Sequence, residues 1–348
     1  MIEIKGNLHI HSTYSDGHKS IPEIAGLAQE ASLDFILIND HSHLLGLERG
    51  EEGWYGKTLV LIGCEINDRK NHYLAYGINQ PVPGNDDNPQ EVIDEVNRQG
   101  GFGFLAHPFE KGSPLSDQGW AYKWENWEVR GYTGICIWNY TAHWKGKAQN
   151  IPKGLYYYYN RKAAFTGGPD SQTLATWDRE CLKRKVVAIA GSDAHEVFYR
   201  WYIFSGTIFH YSFLFKALNV HLLLETALSG ILEMDKKMIY NSLREGNSFI
   251  CHDYLAPGKG FRFMAVAKDQ SFPMGSEVGF SEDIYFLTEA PEICLMTLIK
   301  NGKVHRRFKG KSWEVRPAEK GVYRLEAQLT GFLKRPRAWI FSNPIWLS

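Results

Sequence analysis

Short apolar runs recur through the first two-thirds of this chain, separated by helix-like stretches. Gly6–Ile10, Phe35–Ile38, Leu59–Ile62, Tyr73–Tyr76, Gly103–Ala106, Gly134–Trp138 and Val186–Ala190 read as short buried strands. Between the first two, Ser20 caps a helix with Pro22 in its first turn and Ile24, Leu27, Ala28 and Ala31 on one face. Pro89–Gln99 reads as another helix, stopped at Gly100-Gly101. Repeated β-then-α units imply an α/β fold with a parallel sheet and helices outside it. About seven such strands suit a closed barrel better than an open sheet, and spacing alone leaves closure open.

The texture changes after Asp235. Lys236–Arg244 reads as one helix ending at Gly246. Beyond it, Phe261–Ala267, Ile284–Thr288, Cys294–Lys300, Val322–Gln328 and Ala338–Phe341 are short alternating runs broken by Gly, Pro and Asn, the pattern of a small antiparallel β-sandwich-like domain. The 348 residues thus divide into a large domain over 1–235 and a helix plus β-domain over 236–348, with Pro344-Ile345-Trp346-Leu347 as a docked tail. The apolar stretch Ile203–Leu232 is interrupted by His210, Lys216, Asn219, His221 and Glu225; it reads as a buried helix pair or a lid, not a membrane span.

Composition narrows the classes. Charged residues at 22% and hydrophobic residues at 44% are an ordinary soluble mix, so no membrane association is expected. A formal net charge of zero argues against a long nucleic acid as partner. Cys64, Cys136, Cys181, Cys251 and Cys294 are odd in number and form no C-x-x-C pair. A reducing compartment fits them better than a disulfide framework. Met1 leads almost directly into the first strand, which leaves no room for a signal peptide and gives a cytoplasmic expectation. Oligomeric state is left open.

The ionisable residues gather at strand ends. His9 and His11 close the first strand, where alternation should project both from one face, and Asp16 lies in the loop beyond. Asp40-His41 follows the second strand and Glu65 the third; His72 opens the fourth; His107 ends the fifth; Asp193 and His195 follow the last. All but His72 fall at or just past a strand's C-terminal end, where parallel barrels assemble their sites. One histidine so placed means little, since most are core or surface residues, but six strand ends bearing His or carboxylate make a set. Mixed imidazole and carboxylate ligation suits zinc, manganese or iron, and so many donors imply two or three divalent ions with a shared carboxylate.

The ordered motifs His9-x-His11, Ser15-Asp16-Gly17, Asp40-His41, Gly63-x-Glu65, His107-Pro108 and Gly191-Ser192-Asp193-Ala194-His195 resemble the PHP (polymerase and histidinol phosphatase) superfamily over roughly residues 1–200. Leu243-x-x-Gly246 and the closing Trp339-Ile340-Phe341-Ser342-Asn343-Pro344 resemble, less specifically, CehA/McbA-like members with a C-terminal β-domain. The resemblance implies a distorted (β/α)7 barrel with a bi- or trinuclear centre. Carried over by position, His9, His11, Glu65 and Asp193 would hold one metal. Glu65 would bridge to a second held by His72 and His107, and Asp16, His41 and His195 would hold a third. Relatives often carry glutamate where this chain has Cys136, in Gly134-Ile135-Cys136-Ile137-Trp138-Asn139. Cys136 reads as a small buried hydrophobe in preference to a ligand, and Cys64 as core.

The expected activity is metal-dependent hydrolysis of a small phosphoester by a metal-bridging hydroxide, with Glu65, Asp193 and His195 as the catalytic groups. Lys111 and Arg200, on loops at the catalytic face, are candidate substrate contacts and equally ordinary solvated charges. The alternative keeps the centre and hydrolyses a carboxylic or carbamic ester. Trp138, Tyr140, Trp144, Tyr156–Tyr159, Tyr199, Trp201 and Tyr202 would suit its aromatic substrate, although core packing accounts for most of them. A phosphoesterase needs cationic side chains in its pocket, and an aryl-ester hydrolase does not. A non-catalytic metal-binding protein is the third class, disfavoured by so many ligands with open positions.

Overall fold

The first strand, Ile2–Ile10, has a parallel neighbour on one side and an antiparallel one on the other. The structure is a computed structural model that describes residues 1–201, 204–268, 270–330 and 335–348. The parallel neighbour is Phe35–Ile38, which in turn pairs in parallel with Thr58–Ile62. Every residue of those two strands is buried. Helix Ile21–Glu30 covers them with Ile21, Ile24, Ala25 and Ala28, and the Ser20 backbone N–H donates to Glu23 at its N-terminus (2.8 Å).

The chain then crosses at Gly63 into a second sheet of five strands: Cys64–Ile66, Tyr73–Tyr76, Phe102–Leu105, Gly134–Asn139 and Val187–Gly191. Gly63 is required there, because a Cβ would lie 2.4 Å from the Ala75 carbonyl oxygen.

Among the described residues the closed (β/α)7 barrel expected from the sequence is not found. Among the described residues the strands form separate sheets, and Tyr73–Tyr76 is antiparallel to both of its neighbours. The connection Asn67–His72 explains the first reversal, since parallel strands need a crossover of about a dozen residues. The sheets still meet at the site end. Ser192 N donates to Leu8 O (2.9 Å), Ala194 N to His9 O (3.2 Å) and His11 N to Ala194 O (3.0 Å). His9 (φ 63°) and Asp193 (φ 54°) both have left-handed backbones at this seam, which prevents a regular ladder.

Among the described residues, the stretch expected to be a helix pair or lid, whose Ile203 lies outside them, contains the strand Phe204–Ile208, one short helix, Tyr211–Ala217, and then the strand Asn219–Leu224, the antiparallel neighbour of Ile2–Ile10. A continuous apolar run does not distinguish buried helix from buried strand, and the open edge of the first strand decides it.

Helix Leu232–Glu245 ends at Gly246 in the left-handed conformation (φ 72°). Ser248–Cys251 then pairs with Asn219–Leu224 on one side and with Arg337–Ser342 on the other, so a single sheet runs from the N-terminal strands into the C-terminal ones. Tyr285–Lys300, Lys303–Val315 and Gly321–Leu329 extend it antiparallel. Phe261, Phe263, Phe286, Leu325 and Trp339 form a second core, distinct from the one beneath the N-terminal strands. The tail docks: Asn343 accepts from Ala188 N (2.7 Å) and donates to Ala188 O (3.0 Å), and Trp346 Nε1 donates to Cys181 O (3.0 Å). Among the described residues no helix is long and apolar enough to cross a membrane.

Candidate metal centre

Glu65, fully buried on the first strand of the second sheet, is the hub. Its Oε2 lies 3.0 Å from His9 Nε2, 3.3 Å from His11 Nε2 and 3.4 Å from His41 Nδ1. Its Oε1 lies 2.9 Å from His72 Nδ1 and 3.2 Å from His107 Nε2. Asp193 Oδ1 closes the first group, 3.3 Å from His9 Nε2 and 3.5 Å from His11 Nε2. Asp16 gathers a further group through contacts to His195 (3.2 Å), His11 (3.5 Å) and His41 (3.6 Å).

The structure thus brings all nine sequence-derived candidates into three overlapping clusters: His9–His11–Glu65–Asp193, Glu65–His72–His107, and His11–Asp16–His41–His195. His11 stands in two of them. A neutral imidazole has one lone pair, so it can serve only one centre, and its Nε2 faces the two buried carboxylates.

His9 and His11 converge for a reason other than strand alternation. His9 has a left-handed backbone and the regular strand stops at Ile10, so the turn at the seam aims both rings at Glu65. His72 lies in the turn before its strand, and the antiparallel return carries it back to the same end as Glu65.

Charge and burial compete strongly here. Burial opposes ionisation of Glu65, but the His9, His72 and His41 rings around it hold its carboxyl well below the usual range. Burial is overcome likewise at Asp193 by His9 and His195. Burial also disfavours protonated His11, yet Asp193 and Glu65 raise it to about 10; Glu65 and Glu110 raise His107 to about 9 against the same penalty. His9 shifts down, because burial outweighs its carboxylate neighbours.

The donor set fits divalent metal. Nε2 of His9 and of His11 is buried and makes no hydrogen bond, although each faces the Glu65 and Asp193 carboxylates. An orphaned buried polar atom costs about 1–3 kcal/mol. Two of them facing two carboxylates are what ligands to a cation look like without it.

Several supporting groups escaped the sequence reading. Asn67 Oδ1 accepts from His41 Nδ1 (3.0 Å), and Tyr122 O accepts from His107 Nδ1 (3.1 Å). Buried Glu110 lies 3.4 Å from the same His107 nitrogen. Asp40 does not face the clusters; it accepts Ser12 N (2.7 Å), Ser12 Oγ (2.6 Å) and Ser15 Oγ (2.6 Å), which shapes the loop carrying Asp16. Only Glu110 had a local signal, three residues after His107.

Lys111 lines a cavity of about 340 Å3 bounded also by His107, and its Nζ donates to Asp170 Oδ2 (2.6 Å). Arg200 belongs to the strand Val197–Trp201, but its side chain lies outside the described residues, as do the side chains of Tyr199 and Trp201 and all of Tyr202. Cys136 and Cys64 are buried, and burial pushes each thiol up to about 12. Neither stands in any of the three clusters. Trp138, Tyr140 and Trp144 are core residues, whereas Tyr156 and Tyr159 are exposed.

No family model and no curated protein matches the chain. Among solved structures it is similar to a two-domain protein containing a predicted PHP-like metal-dependent phosphoesterase from Bacteroides vulgatus, at 14% identity and a TM-score of 0.40 over 99% of this chain and 95% of that one. It is also similar to an amidohydrolase from Chromobacterium violaceum with bound sulfate and no metal, at 14% identity and a TM-score of 0.32 over 55% of this chain and 87% of that one.

Proposed function

We propose that the protein is a PHP-type metal-dependent hydrolase, of the CehA/McbA-like kind, acting on a phosphoester at a bi- or trinuclear centre. The single observation that carries this reading is Glu65, whose two oxygens face two different histidine groups. His9, His11, Glu65 and Asp193 would hold one ion, Glu65, His72 and His107 a second, and Asp16, His41 and His195 a third.

Zinc, manganese or iron, when bound there, supplies Lewis-acid polarisation of the ester and a water of lowered pKa. The protein's own groups supply the rest. In a two-ion centre without the third ion, His195, whose Nδ1 donates to Asp193 O (2.9 Å), would keep Nε2 facing Asp16 to hold or pass a proton to a leaving oxygen. Asp193 and Glu65 stay ionised throughout the neutral range and keep the pocket's negative charge fixed.

Lys147 on the wall of the adjoining cavity, where Asp170 neutralises Lys111, favours a phosphoester over a carboxylic or carbamic ester, which would need no cation there. A hydrolysis screen on metal-reconstituted protein tests the reading, with aryl phosphates, nucleotides and aryl esters as substrates. Activity that survives His9→Ala or Asp193→Ala sinks the metal mechanism. Turnover of aryl esters alone moves the assignment to the alternative.

A further inference from the structure

A cavity lies beside the metal clusters, not among them; His107 belongs to both, and Asn139 links the two. His107 lines it while its Nε2 faces Glu65, and Asn139 lines it while its Nδ2 lies 3.3 Å from His9 Nδ1. A molecule in the cavity is therefore one side chain from the clusters. At about 340 Å3 it is near the lower end of small-molecule sites, large enough for one ring or a sugar.

Its wall carries charge of both signs, and Glu110, which lines it, is matched by Lys145 (3.6 Å) and His107 (3.4 Å). Lys111 is neutralised by Asp170, whereas Lys147 has no carboxylate partner among the described residues. His143, between them, adds no positive charge: burial and Lys147 push its pKa down to about 4, and its Nε2 donates to Ala164 O. The Lys147 charge is left over in a pocket that His107 also lines.

We propose that this cavity is the leaving-group subsite, and that it selects a phosphoester whose alcohol carries an anionic group of its own, opposed by Lys147. The inference rests on the phosphoester reading. The anionic group is a carboxylate or a second phosphate; both are oxyanions that an ammonium recognises equally.

The test compares metal-loaded protein on phenyl phosphate, 4-carboxyphenyl phosphate and propane-1,3-diyl bisphosphate. The anionic alcohols should be preferred, and Lys147→Glu should lower that preference about tenfold, mainly through KM. The two anionic substrates separate carboxylate from phosphate recognition. Calorimetry with 4-hydroxybenzoate against phenol reads the subsite without turnover. Binding of 4-hydroxybenzoate that Lys147→Glu abolishes supports the subsite even when no phosphate ester is cleaved, in which case only the phosphoester reading fails. Turnover with no preference for anionic alcohols, and no binding difference between wild type and Lys147→Glu, overturns the inference and leaves the phosphoester reading standing. Lys147 is exposed, so its substitution should not disturb folding.

Discussion

His72 Nδ1 lies 2.9 Å from Glu65 Oε1, and the other nitrogen of the same ring is buried without a hydrogen bond. One carboxylate oxygen thus serves His72 and His107 while its twin serves His9 and His11. His72→Ala should lower the metal content by one equivalent per chain and activity by at least about a hundredfold, with the fold intact. Glu65→Gln should cost more than one equivalent, because it touches two clusters. Elemental analysis beside circular dichroism checks both, and unchanged stoichiometry in either variant refutes the shared-carboxylate geometry.

Metal loading should release protons. His11 and His107, raised to about 10 and about 9, are protonated at pH 7 in the metal-free pocket, and only neutral imidazole ligates. Affinity should therefore rise with pH. Titration calorimetry in two buffers of different ionisation enthalpy counts the protons, and a buffer-independent heat contradicts the expectation. Without metal, the stabilisation from these two rings is full below about pH 6.5 and fades as pH rises through their folded values.

Glu110 should act through His107, as a positioning residue beside a ligand. Glu110→Gln keeps its size and removes the charge 3.4 Å from His107 Nδ1. Metal affinity or activity should fall about 10- to 100-fold. The variant should also lower the His107 pKa, which NMR titration of the metal-free protein reads directly; an unmoved pKa would show that Glu110 only packs.

His221 lies buried between Glu3 (2.8 Å) and Asp253 (3.1 Å), where the first strand meets the second core. Burial opposes its protonation, but Asp253 and Glu3 raise its pKa, so its stabilisation is present below about pH 6.5 and lost as pH rises through the raised value. Asp253 is shifted down by His221 against burial, so its contribution is present above the usual carboxylate range and lost in acid. Asp253→Asn should cost about 3–5 kcal/mol at neutral pH, measured by urea denaturation. A loss below about 1 kcal/mol would mean the ring needs only Glu3.

Asn343→Ala should destabilise the docked tail by about 2–4 kcal/mol, because it strips partners from the buried Ala188 N–H and C=O and from Ser248. Proteolysis should then cut near the C-terminus first. Resistance equal to wild type would place the anchoring in Trp346 instead.

The strands under the site were legible because each is a short apolar run, and the ligand residues because they recur at the ends of those runs: Phe35–Ile38 before Asp40-His41 is one case, and Val187–Gly191 before Asp193 and His195 another. Three things were not legible. The turn Asn67–His72 reverses the chain where a parallel unit was expected, the strand Asn219–Leu224 forms because Ile2–Ile10 has an open edge, and Glu110 matters only once folding sets it against His107. Local pattern encodes which residues are strand and which can ligate. Which ligands share an ion depends on distances between segments far apart in sequence. The left-handed turns at His9 and Asp193, where two sheets meet without a common ladder, are what bring those ligands together around Glu65.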